Sequence, residues 1–345
     1  MQVCPAPEAQ FTEYSENDNT MELKELGKMA VIDDLYRGSG FTRVATPSVE
    51  GKAHTRTSHA LLLEGVDFDL TYFPLRHLGY KAVLRVIGPL YAVMHKPVSL
   101  HVVVAMSNRF GMEDVKALWE GVTAAAKEHS VSSLSFDLQP SAAGLALSLS
   151  AAGTAGKDIA DKAPKPKSMD LICLSGNVGA AYMGLQVLER EKAAFNSRGR
   201  QPDLSKYKYV LSQYLSPEIK NNVLSRMKEG DFIPSCGVFS VNGLGAAVLD
   251  LQRATGLGAK IYIDKIPISS KTFEMAEELS MDPITCAING GEDYRLLFTL
   301  PIACAESFRR DFQDWDIIGH LAQTEVGTVI VTPEGTEFPI KAQGY

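Results

Sequence analysis

Three things are missing from this chain, and each absence narrows what it can be. Its five cysteines, Cys4, Cys173, Cys236, Cys286 and Cys304, are scattered with no Cys-x-x-Cys pair. Such a set suits neither a disulfide framework nor a zinc site and reads as reduced, mostly buried thiols. Long apolar runs are missing too. No segment approaches the roughly eighteen uninterrupted apolar residues of a membrane span, and the opening MQVCPAPEAQFTEYSENDNT has no basic region followed by an apolar stretch. The expectation is a soluble cytoplasmic protein. Basic excess is the third absence: 34 Lys and Arg against 41 Asp and Glu leave a net charge of −7 and a pI near 5.6. Nucleic acids and anionic membranes are bound through clustered cations, so small molecules or proteins are the expected partners. His59, His77, His95, His101 and His320 show no metal-ligand spacing, and no Ser-His-Asp arrangement can be argued. There is no internal repeat and no low-complexity tract.

At 345 residues with 45% hydrophobic content, the chain exceeds one comfortable core, which predicts two domains. Residues 1–21 are polar, acidic and proline-containing and read as a flexible extension. Residues 22–155 alternate strand-like runs with amphipathic helices. ALLLEGVDFDL reads as a strand, HLGYKAVLRVIGPLYAV as a helix and VSLHVVVAMS as a strand. In MEDVKALWEGVTAAAKEH, Val115, Leu118, Trp119 and Val122 fall on one helical face, and strands follow at VSSLSF and GLALSLSAAG. The lysine- and proline-rich segment 156–170 reads as a linker, its lysines a solvated surface. In 171–345, LICLSGNVGAAYMGLQVLEREK is a strand, a glycine turn and a helix, and the same grammar runs through AAVLDLQRATG, KIYIDKIPI and YRLLFTL. The fold class expected is α/β (α+β).

Two glycine-containing turns stand out. SGNVGAAYMG resembles a phosphate cradle, in which a strand enters a turn that opens a helix; Gly176 and Gly179 are its candidate residues, and they also suit tight helix–sheet packing. NGGEDYRLLFT, residues 289–299, is an acidic turn entering a strand. Its glycines permit positive φ, and its acids, Glu292 and Asp293, can bind ligand or cap backbone.

LLLEGVDFDLTYFPLRHLGYKAV, DLICLSGNVGAAYMGLQ and NGGEDYRLLFT, in this order, make the chain similar to the thiamine-monophosphate kinases of the aminoimidazole-ribonucleotide-synthetase superfamily. The resemblance runs from ELGKMAVIDDL to IIGHLAQTEVGTVIVT. It implies a two-domain PurM-like fold with an N-terminal ATP-binding-like domain whose sheet pairs with a second subunit, a C-terminal α/β domain, and ATP-dependent phosphorylation of thiamine monophosphate to thiamine diphosphate. That chemistry needs converging carboxylates, because the transferred phosphoryl group is handled largely through Mg²⁺.

At the matching positions the carboxylates are gone. The family's Gly-x-Gly-Asp-Asp falls on GSGFT, putting Phe41 and Thr42 at the aspartate pair. Its Ser-Thr-Asp falls on Ser58, His59 and Ala60, and the histidine after Gly-Val is Asp67. Asn-Leu-Ser-Asp falls on Val86, Ile87, Gly88 and Pro89, and Asp-Ile-Ser-Asp-Gly-Leu on the run from Phe239 through Asn242 to Leu244. Asp137 survives from Gly-Gly-Asp-Thr, but the glycines are Ser135 and Phe136, and the bulk of Phe136 opposes close approach of backbone to phosphate.

The leading expectation is a pseudoenzyme, a catalytically impaired homologue with no cofactor and no metal, which binds a phosphate-containing ligand or a partner. It would be a homodimer, or a heterodimer with an intact paralogue. The alternative is an active kinase using Mg²⁺ and ATP. Ligand-binding candidates are Asp137, Glu292, Asp293, Asp67, Arg43 and Arg85, an arginine being able to grip phosphate directly; Arg56 lies nearby. The plainer readings make Arg85 a rim residue and place Asp67 and Asp69 on one face of a strand end with Glu64 on the other. Pro89 predicts a break or kink in its helix.

Overall fold

The computed structural model of the chain describes residues 37, 48–49, 52–156, 162–199 and 202–342. The expected extension 1–21, the GSGFT segment with Phe41 and Thr42, and Arg43 lie outside them. Two sheets are built from these residues, both within the compact unit 44–342.

The first sheet has five strands in the order β1-β2-β5-β3-β4: β1 (Ser48–Val49), β2 (Lys52–Leu63), β3 (Lys96–Met106), β4 (Ser133–Pro140) and β5 (Leu145–Thr154). β3 and β4 are parallel and the other neighbours antiparallel. Helices α1 (Leu75–Ala92) and α2 (Met112–Glu128) join these strands. Period-two alternation is plain in β5, where Leu145, Leu147, Leu149 and Ala151 are buried and Ser148 and Ser150 exposed. The apolar row faces the helices. α1 and α2 cross at Gly79 and Gly121, where a Cβ on Gly121 would lie 1.9 Å from the Arg76 carbonyl oxygen, so the helix backbones touch.

The second sheet runs β12-β11-β8-β10-β6-β9-β7, with β6 (Leu171–Ser175), β7 (Cys236–Ser240), β8 (Gly258–Tyr262), β9 (Arg295–Leu300), β10 (Trp315–Ala322), β11 (Thr328–Val331) and β12 (Glu337–Pro339). Only β8 and β11 pair in parallel. The helices of this half are α3 (Ala180–Arg198), α4 (Lys208–Leu215), α5 (Val223–Glu229), α6 (Leu244–Thr255), α7 (Ser270–Leu279), α8 (Pro283–Asn289) and α9 (Ala305–Asp311). Local chemistry starts some of them. Asp282 caps α8, accepting the Thr285 N–H at 2.7 Å ahead of Pro283.

α1 lies between the two sheets, touching β2, β3 and β5 on one side and β7 and β9 on the other. That explains its near-continuous apolar sequence, since a helix packed all round is apolar all round. The helix is not broken at Pro89 but continues to Ala92. Pro89 has no N–H for the Arg85 carbonyl, and the Ser58 hydroxyl donates to the adjacent Val86 carbonyl.

The expectation of one strand through ALLLEGVDFDL is corrected. β2 ends at Leu63 and residues 65–67 form a turn, with the Asp67 carboxylate accepting the Leu63 N–H at 2.8 Å. Strand alternation therefore does not sort Glu64, Asp67 and Asp69. Asp69 turns to Lys192 on α3, 2.6 Å away. Of the cysteines in the described residues, Cys173 and Cys286 are buried and Cys236 and Cys304 partly so, all as free thiols.

Candidate functional site

The acidic turn enters β9 with its backbone in an unusual state. Gly291, Glu292 and Tyr294 have φ of 77°, 67° and 56°, the left-handed region that non-glycine residues rarely adopt and that costs free energy unless the surroundings impose it. A Cβ on Gly291 would lie 2.7 Å from the Val241 carbonyl oxygen, and the Glu292 N–H donates to that same oxygen at 2.6 Å. The turn is thus clamped against the segment between β7 and α6.

Glu292 reaches α1. Its Oε2 is 2.7 Å from Lys81 Nζ, and its Oε1 is 3.2 Å from the Arg85 guanidinium. Lys81 and Arg85 are four residues apart and share one helix face. Lys81 is 2% exposed, donates to the Tyr214 carbonyl at 2.7 Å, and lies 3.9 Å from the centre of the Tyr214 ring, with Phe73 and Tyr294 farther out. Burial pushes its pKa down and Glu292 opposes that. Arg85 also faces Asp67 at 3.6 Å. Burial works against its charge, but Tyr294 and Glu292 outweigh it and hold the guanidinium above its usual value. Arg85 is therefore not a rim residue with a free head; carboxylates flank it on two sides.

Asp293 is 3% exposed and accepts the N–H groups of Gly179 at 2.8 Å and Ala181 at 3.1 Å. These are the first amides of α3, whose N-cap, Gly179, has no side chain to do this. The anion expected at the glycine turn is thus supplied by the chain's own Asp293. Gly176 and Gly179 sit there with φ of 66° and 87°. Arg295 completes the motif by donating to the Asn177 carbonyl and to Gln213, both at 2.8 Å. Burial pushes the Asp293 carboxyl up to about 6, against the pull of Arg295 and the two amides.

The remaining candidates do not converge on this turn. Asp137 is exposed on edge strand β4, and its oxygens take the Leu138 N–H and Gln139 Nε2, each at 2.9 Å. Its neighbour Phe136 packs edge-on against Trp119 of α2, 5.1 Å between centroids, so Asp137 points away from the helices. Ala60 is half-buried in β2, Pro89 half-buried in α1, and Asn242 exposed after β7. Phe239 lies against Gly88 of α1, where a Cβ would meet its ring at 2.4 Å, and makes an edge contact with Tyr294. Sequence reasoning missed Lys81; the available signal was a lysine one turn before Arg85 inside an otherwise apolar helix.

A magnesium site does not fit these residues. Both oxygens of Glu292 face cations, both of Asp293 take backbone hydrogens, and Asp67 is divided between the Leu63 N–H and Arg85. Among the described residues no three His, Cys, Asp or Glu side chains are grouped to hold a metal ion.

Lys81→Met strips one partner from a buried pair and lowers unfolding free energy by about 3 kcal/mol. Lys81→Met combined with Glu292→Gln costs less than the sum of the single changes, with a coupling of at least about 1 kcal/mol in denaturant titrations; additive losses contradict the pair. For Asp293, ionisation occurs near 3.8 in the unfolded chain and about 6 in the folded one. Its contribution to stability is therefore full below about pH 4 and is lost as pH rises through 6, a change of ~3 kcal/mol. Melting curves of Asp293→Asn and the unaltered protein from pH 4 to pH 7 check the sign: the variant gains relative to the parent as pH rises.

No protein-family model matches the chain. It is 22% identical over 295 residues to the thiamine-monophosphate kinase of Bacillus subtilis, covering 82% of this chain and 85% of that enzyme. It is 24% identical over 270 residues, 76% of each chain, to a Methanocaldococcus jannaschii protein assigned to hydrogenase expression and formation. The crystal structure of thiamine monophosphate kinase from Aquifex aeolicus superposes with a TM-score of 0.77 at 21% identity, covering 92% of this chain and 100% of that one. The complex of that kinase with AMPPCP and TMP gives 0.75 at 21% identity, over 92% and 98%. Along most of its length the chain is similar in sequence to thiamine-monophosphate kinases, and it is built on their mixed α/β fold.

Proposed function

We propose that this chain keeps the kinase fold but has lost magnesium- and ATP-dependent phosphoryl transfer, and that it acts by binding a phosphate-containing ligand or a protein partner. The observation that carries this reading is the commitment of the acidic turn: Glu292 is paired with Lys81 and Arg85, and Asp293 is bound to the amides that open α3. Phosphoryl transfer of this type depends on carboxylates that present metal to the nucleotide. Phe41, Thr42, Ala60, Pro89, Phe239 and Asn242 offer none. Loss of several kcal/mol of metal-derived stabilisation slows transfer by roughly a thousandfold. Arg85 is a weak candidate for direct phosphate contact, because Glu292 and Asp67 already surround it.

The outer face of the first sheet supports a homodimer. Leu61, Leu63 and Val103 stand exposed there at 55%, 38% and 41%, in register with Ala146 and Ser148 of β5. A predominantly apolar patch, with Asp137 as the one acid in its rung, is complementary to itself, which favours a second copy over a different partner. In this reading residues 22–155 and 171–345 act as two domains joined by 156–170.

Calorimetric titration with ATP, ADP and thiamine phosphates, with and without Mg²⁺, followed by a coupled assay for ADP release, tests the reading. The expected result is ligand binding without turnover, or no nucleotide binding at all. Magnesium-dependent ATP binding with turnover near one per second, ordinary for a slow enzyme, establishes the active kinase instead.

A further inference from the structure

The same outer face carries two histidines on one rung. His59 of β2 and His101 of β3 are both in register with Ser150 of β5, which lies between them, and His101 is in register with Ser135 of β4. Strand alternation puts all four side chains on the face away from α1 and α2, and both histidines are exposed. His101 Nδ1 is hydrogen-bonded to Ser135 Oγ at 2.8 Å. The adjoining rung is Leu61, Ser148, Val103 and Asp137, so the imidazoles border the apolar centre of the patch.

Among the described residues, few charges are placed to compensate an imidazolium here. Beneath the rung Leu100, Val102 and Leu149 are fully buried and apolar. On the face itself, Asp137 is diagonal to His101, and its oxygens already accept from Leu138 and Gln139. Lys96, opposite Thr154, stands at one end of β3, and the paired Glu64 and Arg109 stand at the other end of the sheet. A histidine covered by an apolar partner surface must be neutral or else be desolvated as an unpaired cation, which is costly.

We propose that self-association through this face is proton-linked, with His59 and His101 required to be neutral for two copies to pair. The inference rests on the homodimer reading and adds its regulation. Two-fold pairing brings both histidines from each copy into the interface, so acidification adds like charges on both sides of one contact. Each group that must be neutral for two copies to pair weakens the dissociation constant by up to tenfold per pH unit of acidification.

Sedimentation equilibrium of the full chain at about pH 8 and about pH 5.5 is the test, with circular dichroism at both values to show that the fold is intact. The expected result is a dimer at pH 8 whose dissociation constant is weakened tenfold or more at pH 5.5, and a His59→Asn/His101→Asn variant whose constant changes less than threefold. A parent dimer with the same constant at both pH values overturns the proposal and leaves the homodimer standing, as does a variant as pH-sensitive as the parent. A chain that is monomeric at pH 8 overturns the homodimer reading and this proposal with it.

Discussion

The buried pair between Lys81 and Glu292 is the constraint on which the rest of the structure depends. It joins the helix that lies between the two sheets to the turn that opens β9, and the lysine's bond to the Tyr214 carbonyl adds α4 to the same point. A lysine this buried is tolerated only if its charge is matched and its hydrogens are placed. The pair therefore specifies how α1 sits against the second sheet more than it adds net stability. Arg85, one turn on, takes the other oxygen of Glu292 and carries the connection to Asp67 in the turn after β2. A single carboxylate thus ties together segments from both halves of the chain.

Each charged member of the Glu292–Arg295 run has a structural partner. Glu292 meets α1, Asp293 caps α3, and Arg295 holds the turn before α3 together with Gln213 of α4. Tyr294 is buried between Phe239 and Lys81. The left-handed backbone at Glu292 and Tyr294 is the conformation that lets successive side chains leave in these different directions. A motif so embedded can persist in sequence whatever becomes of the chemistry around it. This is why its presence marks likeness to the thiamine-monophosphate kinases better than activity.

Much of the fold was legible in the residues. The helical face of Val115, Leu118, Trp119 and Val122 follows from periodicity alone and packed as expected, and the strand expected over GLALSLSAAG is β5. The end of β2 was not legible, because Val66–Leu70 keeps the apolar–polar alternation of a strand while the Asp67 carboxylate turns back onto the Leu63 amide. At Pro89 the helix runs on to Ala92 rather than breaking, because a helix held on every side by packing absorbs one missing hydrogen bond. At the site, spacing located Glu292, Asp293, Gly176 and Gly179 but could not pair them. The Asp293 cap spans 114 residues and the Lys81–Glu292 pair 211, and no local pattern encodes contacts at such separations.

Whether Glu292 belongs to Lys81 and Arg85 or to a metal is decided by electron paramagnetic resonance of Mn²⁺ titrated into the full chain with AMPPCP. With both oxygens of Glu292 held by cations, the free-ion signal is the same with and without protein. Stoichiometric loss of that signal, restored by Glu292→Gln, would contradict the pairing.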